Sequence, residues 1–302
     1  MAAEAVVTKY SKFFALIAIS AFLSVATVVF GALPLLPARR VGQRWIFWFV
    51  QLAIALGFTV AGLPFYGLIV LAQTLAIGVY VEVEQHGGTV FTSGAVAILA
   101  SIGAAGIAGG IWLKTTKFQL GEKLRQQVEP LVAQLSTMNS GSNSMLNTEA
   151  VIQQLPSAAV IALVLSLAIA LIGERKVMAS VKARDARAGS ADALLGFRMP
   201  DGFVWLVVFT IAGAFLKHGR PMIEIASVNL LNVLVVLYFF QGLAVVAAAF
   251  RTFKVGAFWQ AIWYVLLVLQ LFLMVSLLGF ADYWLEFRER LNRRPAEPNR
   301  SF

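Results

Sequence analysis

Residues Ser227 to Phe250 read SVNLLNVLVVLYFFQGLAVVAAAF, a run apolar and long enough to cross a membrane as a helix. At ~1.5 Å rise per residue it covers the ~30 Å hydrocarbon core. Three amides interrupt it, at Asn229, Asn232 and Gln241. Asn229 and Asn232, three apart, share a helix face, whereas Gln241 lies about half a turn round from Asn232. A helix with polar groups on two sides belongs inside a bundle, where they bond to neighbouring helices, a water-filled cavity or a ligand.

The rest of the chain agrees with that setting. Its 302 residues are 60% hydrophobic and 13% charged with mean hydropathy +0.81, which exceeds any soluble core. The expected class is an all-α, polytopic helical membrane protein, with residues 1–302 forming a single integral membrane domain. The absence of cysteine excludes disulfides, thiolate metal sites and cysteine nucleophiles. A net charge of +9 sits beside apolar spans rather than in a separate polar domain, so it suits anionic lipid headgroups and not nucleic acid.

Working along the chain, eight hydrophobic segments are expected. The first, Phe13 to Leu36, ends at Pro34 and Pro37, which oppose regular helix, and Arg39, Arg40 and Arg44 follow at the membrane surface. The second runs from Trp45 to about Ala61, and Gly62-Leu63-Pro64 turns the chain into a third that continues to Val81. Gln51 lies within the second, and Tyr66, Gln73 and Tyr80 share a face of the third. The fourth, Ser93 to Trp112, carries a strip of small residues at Ala100, Ala104 and Ala108 that suits close packing within the bundle or against a partner subunit. Residues 113–156 form a polar, amphipathic segment at the interface, interrupted at Pro130, and the fifth span follows from Ser157 to Ile172.

Residues 174–198 are a basic loop with six Lys or Arg residues, most on a surface helix ending near Gly189. The sixth segment, Phe203 to Leu216, is about 21 Å of helix, so it must borrow from 194–199, tilt steeply or re-enter. The seventh is the helix quoted first, and the eighth runs from Phe258 to Phe280. Residues 283–302 are a basic tail. With eight full spans, Lys and Arg divide almost evenly between the two sides; re-entry of the sixth would gather the basic stretches on one side.

Metal chemistry has little to build on. Glu82 and His86, four apart at the end of the third span, would be helical neighbours, yet the chain has two histidines in all and no metal or other cofactor is expected. An intramembrane enzyme needs a nucleophile with a base, or paired carboxylates, at membrane depth; every such residue lies at a span end, so no catalytic residue is assigned.

The second half has a further order: Phe197-Arg198-Met199-Pro200 before a span, Asn229 with Asn232 and Gln241-Gly242-Leu243-Ala244-Val245 in the next, and Leu278-Gly279-Phe280-Ala281-Asp282-Tyr283-Trp284 ahead of Phe287-Arg288. With the Pro34 to Gly42 turn and the polar segment after the fourth span, this resembles the YybS-like family of bacterial inner-membrane proteins. The resemblance implies a multi-span fold related to the substrate-binding S components of energy-coupling-factor vitamin transporters. It transfers no ligand residue, because no S-component motif is matched. The expected function is a membrane-embedded small-molecule binding or transport subunit with Gln51, Gln73, Asn229, Asn232 and Gln241 lining a pocket; the alternative is an assembly scaffold of the cell envelope. Lacking a Walker motif, the chain would take energy from a partner.

Overall fold

The computed structural model describes residues 2–116, 120–138, 147–180, 196–216 and 220–292, and among them all regular structure is helical. The surface helix expected up to Gly189 lies from 181 onward outside the described residues, as does the tail beyond Asn292. What the sequence presents as one membrane domain divides into two compact units, residues 1–191 and 192–302.

Unit 1 contains α1 (Ala2–Ala26), α2 (Ala32–Val41), α3 (Arg44–Val60), α4 (Pro64–Gln85), α5 (Val90–Thr116), α6 (Leu120–Met138) and α7 (Thr148–Ser180). The expected first span is not one helix. It breaks at residues 27–31, and α2 folds back along α1, so that Ser20 Oγ donates to Gly31 O at 2.7 Å while the Phe13 ring lies against Gly42. Phe13 and Gly42 therefore sit at one level and the break at another, which makes α1 and α2 a re-entrant hairpin. The prolines do not end a helix as expected, for a physical reason. Pro34 falls in the first turn of α2, where an N–H has no intrahelical partner in any case, and only Pro37 removes a bond.

Depth follows from α4. Its end at Glu82 and Glu84 meets Arg39 and Arg40 of α2, while Gln73 reaches the break. The nine residues from Gln73 to Glu82 are about 14 Å of helix, near half of a bilayer core. From the charged side α3 descends, α4 returns, α5 descends and α7 returns to place Glu174 beside Arg40. The amphipathic segment expected after the fourth span is α6, joined to the start of α7 by Arg125 and Glu149 at 2.8 Å; Pro130 lies inside it without ending it.

Unit 2 contains α8 (Phe203–Phe215), α9 (Pro221–Thr252), α10 (Ala257–Leu269), α11 (Phe272–Leu285) and α12 (Phe287–Asn292). The short sixth segment is completed by borrowed backbone: α8 packs antiparallel on the first half of α9, with Gly213 against Ser227, and the non-helical residues 196–201 carry the chain along the second half, with Met199 beside Gln241. The expected eighth span is also not one helix. Between α10 and α11 the chain bends by 98°. Phe250 at the end of α9 stacks on Tyr264 of α10, Leu267 and Phe272 near the bend pack on Phe239 at mid-helix, and Asp282 at the end of α11 lies in one cavity with Arg251. The pair thus dips to the middle of α9 and returns to the end it left.

Four helices, α4, α5, α7 and α9, are long and apolar enough to cross a membrane, or five spans if the bent pair is counted as one; α3 and α8 are shorter apolar helices. In unit 1, Lys12, Arg39, Arg40, Arg44, Arg175 and Lys176 fall on the charged side, against Lys114, Lys123 and Arg125 on the other. By the positive-inside rule this excess of basic residues predicts that the charged side faces the cytoplasm. Because the chain has no cysteine, single substitutions report without background. Lys12→Cys and Gln43→Cys should both be shielded from a membrane-impermeant maleimide in intact cells and react in inverted vesicles, with Lys123→Cys doing the reverse; labelling of positions 12 and 43 from opposite sides would restore a full first span.

Candidate functional site

The five amides singled out in the sequence divide between the two units. Gln51 and Gln73 belong to unit 1; Asn229, Asn232 and Gln241 belong to unit 2. Gln73 is buried and accepts from Ser24 Oγ at 2.7 Å while its amide donates to Val28 O in the helix break. Ser166 Oγ of α7 reaches the same carbonyl at 3.5 Å. A side chain at Gly31 would overlap Ser24 Oγ and Gln73 Oε1, so the break accepts glycine there. Gln51 faces Thr74, whose hydroxyl donates to its Oε1 at 3.2 Å.

Gln241 is 2% exposed and makes the matching closure in unit 2. Its Oε1 accepts from Met199 N at 2.9 Å and its Nε2 donates to Gly279 O at 3.0 Å, so one side chain serves both the unwound stretch and α11. The approach is close because Gly242 and Gly279 face each other; a Cβ on Gly279 would fall on Tyr238 O and Gly242 N. Asn229 Nδ2 donates to Ile225 O of its own helix at 2.8 Å, and Asn232 is half-buried nearby.

The charges of unit 1 form a closed cluster. Arg39 pairs with Glu82 at 3.3 Å, Arg44 with the other oxygen of Glu82 at 2.5 Å, and Arg40 with both Glu84, at 2.7 Å, and Glu174. Trp48 Nε1 donates to Glu82 at 3.2 Å, and the Tyr80 hydroxyl lies 3.5 Å from Glu84. Glu174 is 1% exposed and is held there by Arg40. Glu82 thus answers to two arginines, and the His86 ring contacts the backbone oxygen of Glu82 at 2.6 Å rather than its carboxylate. Among the described residues no group of three or more His, Asp and Glu is placed to hold a metal ion.

Open space occurs at the charged end of unit 2. A cavity of about 320 Å³ is lined by Arg198, Arg251, Arg288, Asp282, Glu286 and Glu289, with Gly196 and Ala248. Its geometry starts with Glu286, whose left-handed conformation (φ 46°) caps α11 and reverses the chain. Arg288 is thereby returned onto Asp282, with Nε and one terminal nitrogen donating to Oδ2 at 3.0 and 2.8 Å and the other donating to Phe197 O at 2.9 Å. Asp282 is 5% exposed, and its Oδ1 has no hydrogen-bond partner among the described residues. Arg198 and Glu289 face each other at 4.0 Å, both about half exposed.

None of these six charged residues was a sequence candidate. Asp282 and Arg288 are six apart, a spacing that brings side chains together on neither helix nor strand, and only the reversal at Glu286 joins them. On α5, Ala100, Ala104 and Ala108 are half-buried, while Gly103, Gly106 and Gly110 face open space.

Re-entrant elements within apolar bundles, with backbone breaks closed by buried side chains, define a multi-pass helical membrane protein. Residues 10–283 match the model of the family described as Predicted membrane protein (DUF2232), and the chain belongs to that family. No curated protein and no solved structure matches it.

The closures predict an order of sensitivity. Gln241→Leu leaves the Met199 N–H without its partner and should destabilise by about 1–3 kcal/mol. Asn229→Leu should cost under ~1 kcal/mol, since membrane side-chain bonds average about 0.6 kcal/mol. Unfolding titrations in mixed micelles measure both, and equal effects would remove the special position of Gln241. By the same assay Glu174→Ala should cost about 3–5 kcal/mol, because it leaves Arg40 buried without one of its two carboxylates.

Proposed function

We propose that the chain is a membrane-embedded binding subunit for a small polar molecule, working in the bacterial inner membrane, with the cavity at the charged end of unit 2 as its site. The observation that carries this reading is Asp282: a carboxylate almost fully removed from solvent, lining a cavity, with one oxygen clamped by Arg288 and the other unengaged. Buried polar atoms are as a rule hydrogen-bonded, and exceptions mark groups with a task. A cavity of about 320 Å³ suits a small metabolite or headgroup.

In this reading the amides of the helices are scaffold. Gln73 and Gln241 keep non-helical backbone inside the bundle, as discontinuous helices of transporters require. The subunit role fits the S-component resemblance, with transport energy drawn from a partner. A second reading, an envelope assembly scaffold, is favoured by one observation: the face of α5 at Gly103, Gly106 and Gly110 is open to close approach by another helix.

Full-length protein purified in native lipid and analysed by mass spectrometry tests the first reading. Wild type should carry a stoichiometric small polar molecule or headgroup, and Ala248→Phe, which fills the cavity from α9 without changing its charge, should lose it at an unchanged melting temperature. Equal small-molecule content in the two proteins would leave the scaffold reading in possession.

A further inference from the structure

We infer that the unit 2 cavity recognises a zwitterion, an ammonium group that donates to Asp282 Oδ1 joined to an anionic group held on the Arg198 side. The inference rests on the binding reading above and adds the ligand's chemistry.

Charge balance is the first argument. Three arginines and three carboxylates line the cavity, so a ligand of net charge zero leaves it neutral. A simple anion would approach Asp282, Glu286 and Glu289, and a simple cation would approach Arg198, Arg251 and Arg288; both meet like charges in a partly desolvated space.

Donor and acceptor inventory is the second. Arg288 has both faces of its guanidinium committed, to Asp282 Oδ2 and to Phe197 O, and so organises the site rather than recognising a ligand. Asp282 Oδ1 can only accept. What it requires is an N–H or O–H, and an ammonium supplies both the proton and the opposite charge. Arg198, by contrast, is held by Glu289 only at 4.0 Å with both side chains about half exposed, a loose pair that a ligand anion can enter.

Position is the third. The cavity lies where α9 ends at Ala248 and Arg251 and α11 ends at Asp282, beside Tyr283 and the exposed Trp284. Aromatic residues of this kind mark headgroup depth. The same chemistry is offered by a soluble ethanolamine phosphodiester and by the headgroup of an ethanolamine phospholipid.

The test exploits methylation. Full-length, delipidated protein in detergent is titrated with the soluble phosphodiesters glycerophosphoethanolamine and glycerophosphocholine, with inorganic phosphate, and with the short-chain diacyl ethanolamine and choline lipids, with binding read by thermal shift and native mass spectrometry. A choline nitrogen has no proton to give, so the ethanolamine forms should bind about tenfold tighter or more, the worth of one charge-assisted bond. Asp282→Asn should abolish that preference; Arg198→Gln should weaken the ethanolamine and choline probes alike and retain the preference. Binding of the soluble ethanolamine form identifies a metabolite site, and binding of the diacyl form alone identifies a lipid headgroup site; both support the inference. Equal binding of ethanolamine, choline and phosphate probes overturns the zwitterion and leaves the binding reading standing. If no probe of any charge binds a well-folded wild type, the binding reading itself falls. Should Asp282→Asn not fold, the wild-type ethanolamine-to-choline ratio alone decides.

Discussion

Inside a bilayer no water is available to complete the hydrogen bonds of a peptide group, so every interruption of a helix at membrane depth must be closed by the protein. This chain interrupts its helices at residues 27–31, 196–201 and 270–271. The first two are answered by a long-armed amide projecting from an intact neighbouring helix, Gln73 on α4 and Gln241 on α9. Glutamine suits this work because it carries a donor and an acceptor at the end of a stem long enough to cross between helices. Each glutamine uses both ends, and glycine makes room beside each: Gly31 against Ser24 and Gln73, and the facing pair Gly242 and Gly279 beside Gln241.

The same pattern governs where charge is found. In each unit a re-entrant pair begins and ends at one level, and there arginines meet carboxylates: Arg39, Arg40 and Arg44 with Glu82, Glu84 and Glu174 in one, Arg288 with Asp282 in the other. The unit 1 cluster is closed, each carboxylate being held by at least one arginine. The unit 2 cluster is open, because among the described residues the pairing of Asp282 falls on a single oxygen. That difference separates a charged layer that holds helices together from one that has capacity left for a ligand.

Much of this was legible in the residues. Composition and apolar runs are enough for an all-helical membrane protein, the Gly62-Leu63-Pro64 turn gives the α3–α4 hairpin, and 14 apolar residues announce that the sixth segment must borrow backbone, tilt steeply or re-enter. The re-entrant elements were not legible, since a run such as Phe13 to Leu36 has the length and hydropathy of a span, and hydropathy carries no information about direction. Pro34 and Pro37 misled for a related reason: proline's cost depends on its position within the turn, which only the location of the break determines. Of the amides, Gln73 and Gln241 have backbone partners distant in the chain, and a backbone group looks the same in every sequence. The cavity residues were hidden most fully, because their convergence depends on one left-handed residue, Glu286, of a type that normally avoids that conformation.

Arg288 also gives unit 2 a direction in time. The carbonyl it satisfies, Phe197 O, precedes it by 91 residues. A chain emerging from the ribosome therefore lays down the unwound 196–201 stretch long before the guanidinium that secures it exists, and Asp282 waits in the same way for a residue six positions on. Until Arg288 arrives the stretch has Gln241 as its side-chain tether, so the last helices to be made act as the clasp of the first.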